Sequence, residues 1–222
     1  MKVTDFSQLR WRMVQIIELY VQHSSAETGR DVLDGRVLAA MGKVPRHEFV
    51  PEEIQGYAYN DSPLPIGFDK TISQPFITAL MTDLLDVQPG DRVLEVGTGL
   101  GYHTALLTEL GAELCSVEII EELAGQAQIN LKRAGYDNVA LRIGDGARGW
   151  PEHAPFDRIV VAAAAELIPP ALLQQLAPGG RMVIPTGMPD GQTLTLVKKN
   201  GDGRIRTRDV LPVRFAQLET YH

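Results

Sequence analysis

From Asp91 onward, short β-branched or apolar runs alternate with helix-length segments, the pattern of a parallel sheet covered by helices. The runs predict strands over 92–96, 113–119, 140–143, 158–162, 182–185, 193–198 and 205–215. Between them, helices are predicted over 102–109, 121–134 and 170–176. The last two strands are separated only by Asn200-Gly201-Asp202-Gly203, a turn sequence that reads as a hairpin and predicts an antiparallel edge. Ahead of the sheet, 5–20 and 34–41 have helical apolar spacing with a polar break at 24–29. The segment 59–74 is long, rich in Pro and Gly, and leads straight into an apolar helix near Phe76; long ordered loops of this kind are usually binding loops or lids.

The expected class is therefore α/β, with one compact unit divided into a helical extension and loop over 1–75 and a sheet domain over 76–222. A formal charge of −7 with no run of Lys or Arg gives no footprint for a phosphate backbone, so nucleic acid is not an expected partner. The first residues lack the apolar stretch of a signal peptide, and the longest apolar run, 159–165, is too short to span a bilayer. A cytoplasmic protein without a membrane partner is expected, and a monomer is favoured. The one cysteine, Cys115, excludes an internal disulfide, has no metal-ligand spacing with the five histidines, and suits a buried strand position.

The chemistry begins at Glu95-Val96-Gly97-Thr98-Gly99-Leu100-Gly101, a strand running into a glycine turn that opens a helix. Glycines allow the tight dihedrals and let a ligand lie against the backbone. A dinucleotide fingerprint is G-x-G-x-x-G; here the third glycine comes one residue early. This spacing, preceded by Glu95, resembles the first motif of S-adenosylmethionine methyltransferases. Glu118, about twenty residues on at a strand end, suits hydrogen bonds from both ribose hydroxyls. Asp145 in Gly144-Asp145-Gly146 closes the next strand, where this class usually contacts the adenine amino group; it is also an ordinary turn-former. The expected cofactor is S-adenosyl-L-methionine, held by Glu95, Gly97, Thr98, Gly99, Gly101, Glu118, Asp145 and Gly146. The expected fold is the Rossmann-like methyltransferase fold: a mostly parallel seven-stranded sheet whose antiparallel C-terminal hairpin is inserted into it.

A second resemblance is more particular. Residues 57–75, ending Thr71-Ile72-Ser73-Gln74-Pro75, closely resemble the substrate loop of bacterial protein-L-isoaspartate O-methyltransferases. Similar to that family too are Val44-Pro45-Arg46-His47-Glu48-Phe49-Val50-Pro51, residues 154–159, residues 176–185 and Val213-Arg214-Phe215, so the likeness covers roughly 35–216. The resemblance implies methylation of the free α-carboxylate of L-isoaspartyl residues in aged proteins and peptides, after which the ester re-cyclises unaided. It implies Ser73 as the catalytic residue, and Thr71, Ile72, Ser73, Gln74, Pro75, Ile184 and Pro185 as substrate contacts. The chemistry is consistent: an α-carboxyl of pKa about 3.3–3.7 is already ionised at pH 7, so it needs no general base. Rate would come from placing it roughly 3–3.5 Å from the methyl, a task that suits a neutral hydroxyl. Ser73 ahead of Pro75 also suits a helix cap.

His103 reads as capped or solvated, His47 as a surface or interface residue, and Trp11 and Trp150 as packing anchors. Leu100 within the glycine turn, 30–34 without a glycine, and Ala216-Gln217-Leu218 depart from the family pattern; the last bears on substrate choice. The alternative substrate is an aspartate in a dedicated partner peptide. Nucleic-acid methylation would want an Asn/Asp-Pro-Pro-aromatic or Pro-Cys motif, and neither is present. A non-catalytic binding module is opposed by the intact glycine turn with Glu118, Asp145 and Ser73.

Overall fold

The computed structural model describes residues 5–221. Helix α1, Phe6–His23, is capped by the Asp5 carboxylate, which accepts from the amides of Ser7 and Gln8. It buries Met13, Ile17 and Val21, one residue per turn along a single stripe. A short α2, Ser25–Thr28, stops at Gly29 in the left-handed region, and α3, Gly35–Lys43, starts under an Asp34 cap. The 59–74 segment is more ordered than its Pro and Gly content suggests. It holds a small antiparallel hairpin, β1 Leu64–Gly67 and β2 Lys70–Ile72. The turn is Phe68-Asp69, both at φ +54. Neither residue is the Gly or Asn that usually marks such a turn, which is why the sequence pattern did not show it.

Next comes α4, Pro75–Leu85, buried along almost its whole length. The sheet and its helices follow as β3 Arg92–Val96, α5 Tyr102–Glu109, β4 Glu113–Glu118, α6 Glu121–Arg133, β5 Ala140–Ile143, β6 Phe156–Val161, α7 Pro170–Gln175, β7 Leu176–Met188, β8 Gly191–Lys199 and β9 Ile205–Val213. The order across the sheet is β5-β4-β3-β6-β7-β8-β9. The first five of these strands are mutually parallel; β8 is antiparallel to both its neighbours.

The expected insertion of the last hairpin into the sheet does not occur, and the strands lie in chain order instead. The cause is local: Met188 pairs with Gly191 across a two-residue turn, Pro189-Asp190. So short a connection places β8 directly beside β7 and leaves β9 the outer edge. The predicted hairpin at 200–203 does form, with the Asn200 amide bonded to the Arg204 carbonyl.

One apolar cluster joins α1, α3 and α4 to Val93 and Val160 on one face of the sheet. A second gathers Leu94, Val96, Val117, Ile159 and Ile184 on the other. Because α4 lies between the N-terminal helices and the sheet, the residues ahead of it pack into the same core as those behind it. The sheet reverses its winding between β3 and β6, and in open α/β sheets the crevice at that point receives ligands.

Candidate active site

The turn after β3 lies at that crevice. Gly97, Gly99 and Gly101 take φ of +92, +57 and +95, which L side chains rarely adopt. The Asn130 side chain on α6 donates to the Leu100 carbonyl at 3.1 Å. A Cβ on Gly101 would stand 3.0 Å from Leu131 Cγ of the same helix, so α6 packs directly on the turn.

A cavity opens above it, lined by the turn, by Val96 and Val117, by Glu118 and by the β1–β2 hairpin. Ile66 of the hairpin leans in until its Cδ1 would lie 3.3 Å from a Cβ on Gly99. The opposite wall is the C-terminal strap, residues 215–219. Ala164 fixes the strap by two backbone hydrogen bonds, to Ala216 and Leu218 at 2.8 and 2.7 Å. Buried Gln192 grips Phe215 at both its amide and its carbonyl. An ion pair between Lys70 and Glu219 joins hairpin to strap. Of the strap residues only Phe215 was singled out from the sequence, in Val213-Arg214-Phe215. The signal for the others was the departure at 216–218 alone, because nothing local says that this segment folds back beside Ala164, just after β6.

The polar groups divide by location. Glu118 is nearly enclosed and accepts from the amides of Gly99 and Ile120 at 2.8 and 3.1 Å. Burial raises its pKa despite those bonds. Half-buried His103 also lines the cavity, and burial pushes it down to about 4. The Thr82 hydroxyl donates to the Thr78 carbonyl and so can only accept from His103 Nε2–H, which fixes a neutral tautomer. The wall thus carries the Glu118 carboxylate, the Lys70–Glu219 ion pair and a neutral imidazole.

Several expected contacts lie elsewhere. Glu95 has no exposed surface and faces α5: its Oε2 accepts from Thr104 and Ser116, both at 2.6 Å, and Ser116 in turn accepts from Thr98. Asp145 caps the amide of Ala147 and pairs with Arg148 at 3.4 Å, so its side chain serves the turn while Gly146 lines the cavity. Gly101 sits behind the turn against Leu131. Ile184 and Pro185 are buried in β7, Ile184 within the second core cluster, because this strand is covered on both faces. Trp11 stands on the exposed side of α1, 63% accessible, and Trp150 stacks edge-on with His153 outside the cavity. His47 is half-buried, stacked on Phe6 and bonded to the Tyr59 hydroxyl at 2.8 Å.

Ser73 stands where two concavities meet. It lines the main cavity with Thr71 and Ile72, and also a shallower groove formed with Pro63, Gln74, Ile77, Arg214 and Phe215. The cap that its position before Pro75 suggested is supplied by Asp61. One oxygen of Asp61 accepts from the Phe76 amide at 2.9 Å and the other from the Gln74 side chain at 2.6 Å. Pro75 itself is buried at the start of α4. The Ser73 hydroxyl has no hydrogen-bond partner among the described residues.

Residues 24–221 match the family model described as protein-L-isoaspartate(D-aspartate) O-methyltransferase. The chain belongs to that family. A protein-L-isoaspartate O-methyltransferase of Polaromonas sp. (strain JS666) is 58% identical over 215 residues, covering 97% of this chain and 91% of the relative. A solved protein-L-isoaspartate O-methyltransferase superposes with a TM-score of 0.80 at 29% identity, covering 94% of this chain and 65% of its own. A putative member from Plasmodium falciparum, solved with S-adenosyl-L-homocysteine, gives 0.79 at 25% identity over 99% of this chain and all of its own. In this member of the protein-L-isoaspartate O-methyltransferases, Ser73 lines both the glycine-turn cavity and the adjoining groove.

Proposed function

We propose that the protein methylates the free α-carboxylate of L-isoaspartyl residues, with S-adenosyl-L-methionine as methyl donor, and so initiates repair of aged proteins and peptides. The observation that carries this reading is the unpartnered Ser73 hydroxyl at the junction of cavity and groove. The cavity suits a sulfonium nucleoside better than a phosphate-bearing cofactor. Glu118 occupies the Gly99 amide that would otherwise face a phosphate, and its carboxylate would repel one. A ligand with vicinal hydroxyls and net positive charge is complementary to the same carboxylate. His103 is neutral and Lys70 is paired with Glu219, so neither adds an uncompensated cation, and Val96, Val117, Ile119 and Leu123 offer apolar surface for a base.

In this reading Glu118 would hold the ribose, and the glycine-turn amides with Thr98 and Gly146 would flank the rest of the donor. Bound there, S-adenosylmethionine supplies an electrophilic methyl group on sulfur. The substrate carboxylate forms the new oxygen–carbon bond, the carbon–sulfur bond breaks with its electrons staying on sulfur, and both opposite charges vanish. No proton moves, so the reaction needs no base beside Ser73. Ser73 orients the carboxylate with a neutral donor; a cation there would hold the starting charge more tightly than the transition state. Thr71, Gln74, Arg214 and Phe215 would line the peptide path. Proteins and peptides carrying the isoaspartyl linkage are the partners in this reading, and the cytoplasm the expected location; among the described residues no helix is long and apolar enough to cross a membrane.

The test is methyl transfer from labelled donor to two peptides that differ only in isoaspartate or aspartate at one position. Base-labile label confined to the isoaspartyl peptide is expected. Equal labelling of both, or labelling of the aspartyl peptide alone, would move the assignment to an aspartyl substrate.

A further inference from the structure

Arg46 has no exposed surface, and nothing in the reaction described above uses it. Its Nε donates to the Ala58 carbonyl and its Nη2 to the Ser73 carbonyl, each at 2.7 Å. Those two carbonyls stand at the two ends of the 58–73 segment that carries the hairpin. The guanidinium carbon lies 4.7 Å over the ring of Tyr102, the first residue of α5 and the next after Gly101. The Tyr102 hydroxyl is itself tied to Met41 of α3.

Enclosing a cation is unfavourable unless hydrogen bonds and an aromatic face offset the lost water. Here the offset is incomplete, because Nη1 finds no partner and burial pushes the group below its ordinary pKa. Packing alone would be served at least as well by Met or Leu. What only a guanidinium supplies is two donors held at a fixed angle in one plane, with a flat face left to stack. Lys could reach one carbonyl but not hold both. The residue after Ser73 is braced separately, by the Asp61 bond to the Gln74 side chain, so the chain is held both at Ser73 and just after it.

We propose that Arg46 is a positioning residue: it fixes the Ser73 main chain relative to the glycine turn, and so sets where the serine hydroxyl meets the substrate carboxylate. The inference rests on the Ser73 role given above. It makes Arg46 the link between the loop that receives the peptide and the helix that opens beside the donor. A misplacement on the order of 1 Å can cost about 100-fold in rate, so a residue that never touches substrate can still govern turnover.

The experiment is a double-mutant cycle of Arg46→Lys with Ser73→Ala, assayed on an isoaspartyl peptide well below each variant's own unfolding midpoint. Arg46→Met is carried alongside, because it fills the volume without leaving an unmatched charge. Arg46→Lys and Arg46→Met are expected to lower kcat about 10- to 100-fold, with less change in peptide KM and with S-adenosylhomocysteine affinity within about twofold of wild type. Added to Ser73→Ala, either is expected to slow the enzyme less than about twofold further, since residues that act as one unit are not additive. Independent, multiplicative losses would overturn the positioning role while leaving Ser73 in place. A Ser73→Ala enzyme with the wild-type rate would instead remove the serine reading, and this inference with it.

Discussion

Glu95 ends up inside the molecule, accepting hydrogen bonds from Thr104 and Ser116 while its second oxygen has no partner. Burial raises its pKa from 4.5 to about 7, outweighing the two hydroxyl bonds. A carboxyl whose folded pKa lies above its unfolded one stabilises the fold fully below about 4.5, and that contribution is lost as pH rises through about 7. Comparing the melting temperature of wild type with that of Glu95→Gln cancels the other titrating groups. The difference is expected to shift in favour of the Gln variant between pH 5 and 8; a difference independent of pH would show that the carboxyl titrates normally. The sequence placed Glu95 against the ligand because it precedes the glycine turn. It could not show which way the side chain points. Strand β3 is buried on both faces, so its apolar run has no alternation to mark one side from the other. Glu118 sits instead at a strand end, where the chain turns toward the crevice, and there position alone was informative.

Among the elements, those bounded closely by turn residues were legible almost to the residue: β3, β5 and α5 have the limits that the pattern predicts. The hairpin β1–β2 was hidden by a turn without Gly or Asn, and the chain-order edge by a two-residue turn at Pro189-Asp190. The glycine turn shows the reverse case, a motif whose physical demand exceeds ligand contact. Gly101 combines φ +95 with a Cβ position 3.0 Å from Leu131 Cγ, so its substitution strains the backbone and presses α6 outward together. Gly101→Ala is expected to destabilise the fold by about 1–3 kcal/mol, of which ~1–2 is the left-handed backbone and the rest overpacking. Trimming the neighbour with Leu131→Ala should not restore stability, because the strained dihedral persists. Urea midpoints of the two single variants and the double variant measure this; a Gly101→Ala midpoint equal to wild type would mean that α6 and the turn shift freely.

At the scale of the whole molecule, the cavity is closed by stretches far apart in the chain: the hairpin at 64–72, the turn at 97–101 and the strap at 215–219. No window of sequence contains that juxtaposition. It follows from the edge order, since β9 returns along β8 and delivers the strap to the carboxyl ends of β3 and β6. Gln192 on β8 secures the delivery. It is 5% exposed, accepts from the Phe215 amide at 2.6 Å and donates to the Phe215 carbonyl at 3.0 Å. Replacing it with Ala removes both bonds without touching the cavity lining. The freed strap has two outcomes open to it: to leave two enclosed backbone groups unpaired, at about 1–3 kcal/mol each, or to move outward into water. Moving outward costs less, because Ala164 and the Lys70–Glu219 pair alone then retain the segment. Gln192→Ala is therefore expected to weaken S-adenosylhomocysteine binding about tenfold, equivalent to ~1.4 kcal/mol, while lowering the melting temperature little. Isothermal titration beside a thermal melt separates the alternatives. Unchanged affinity would show that the strap is held by its backbone pairing with Ala164, and that the wall it forms does not depend on the sheet edge behind it.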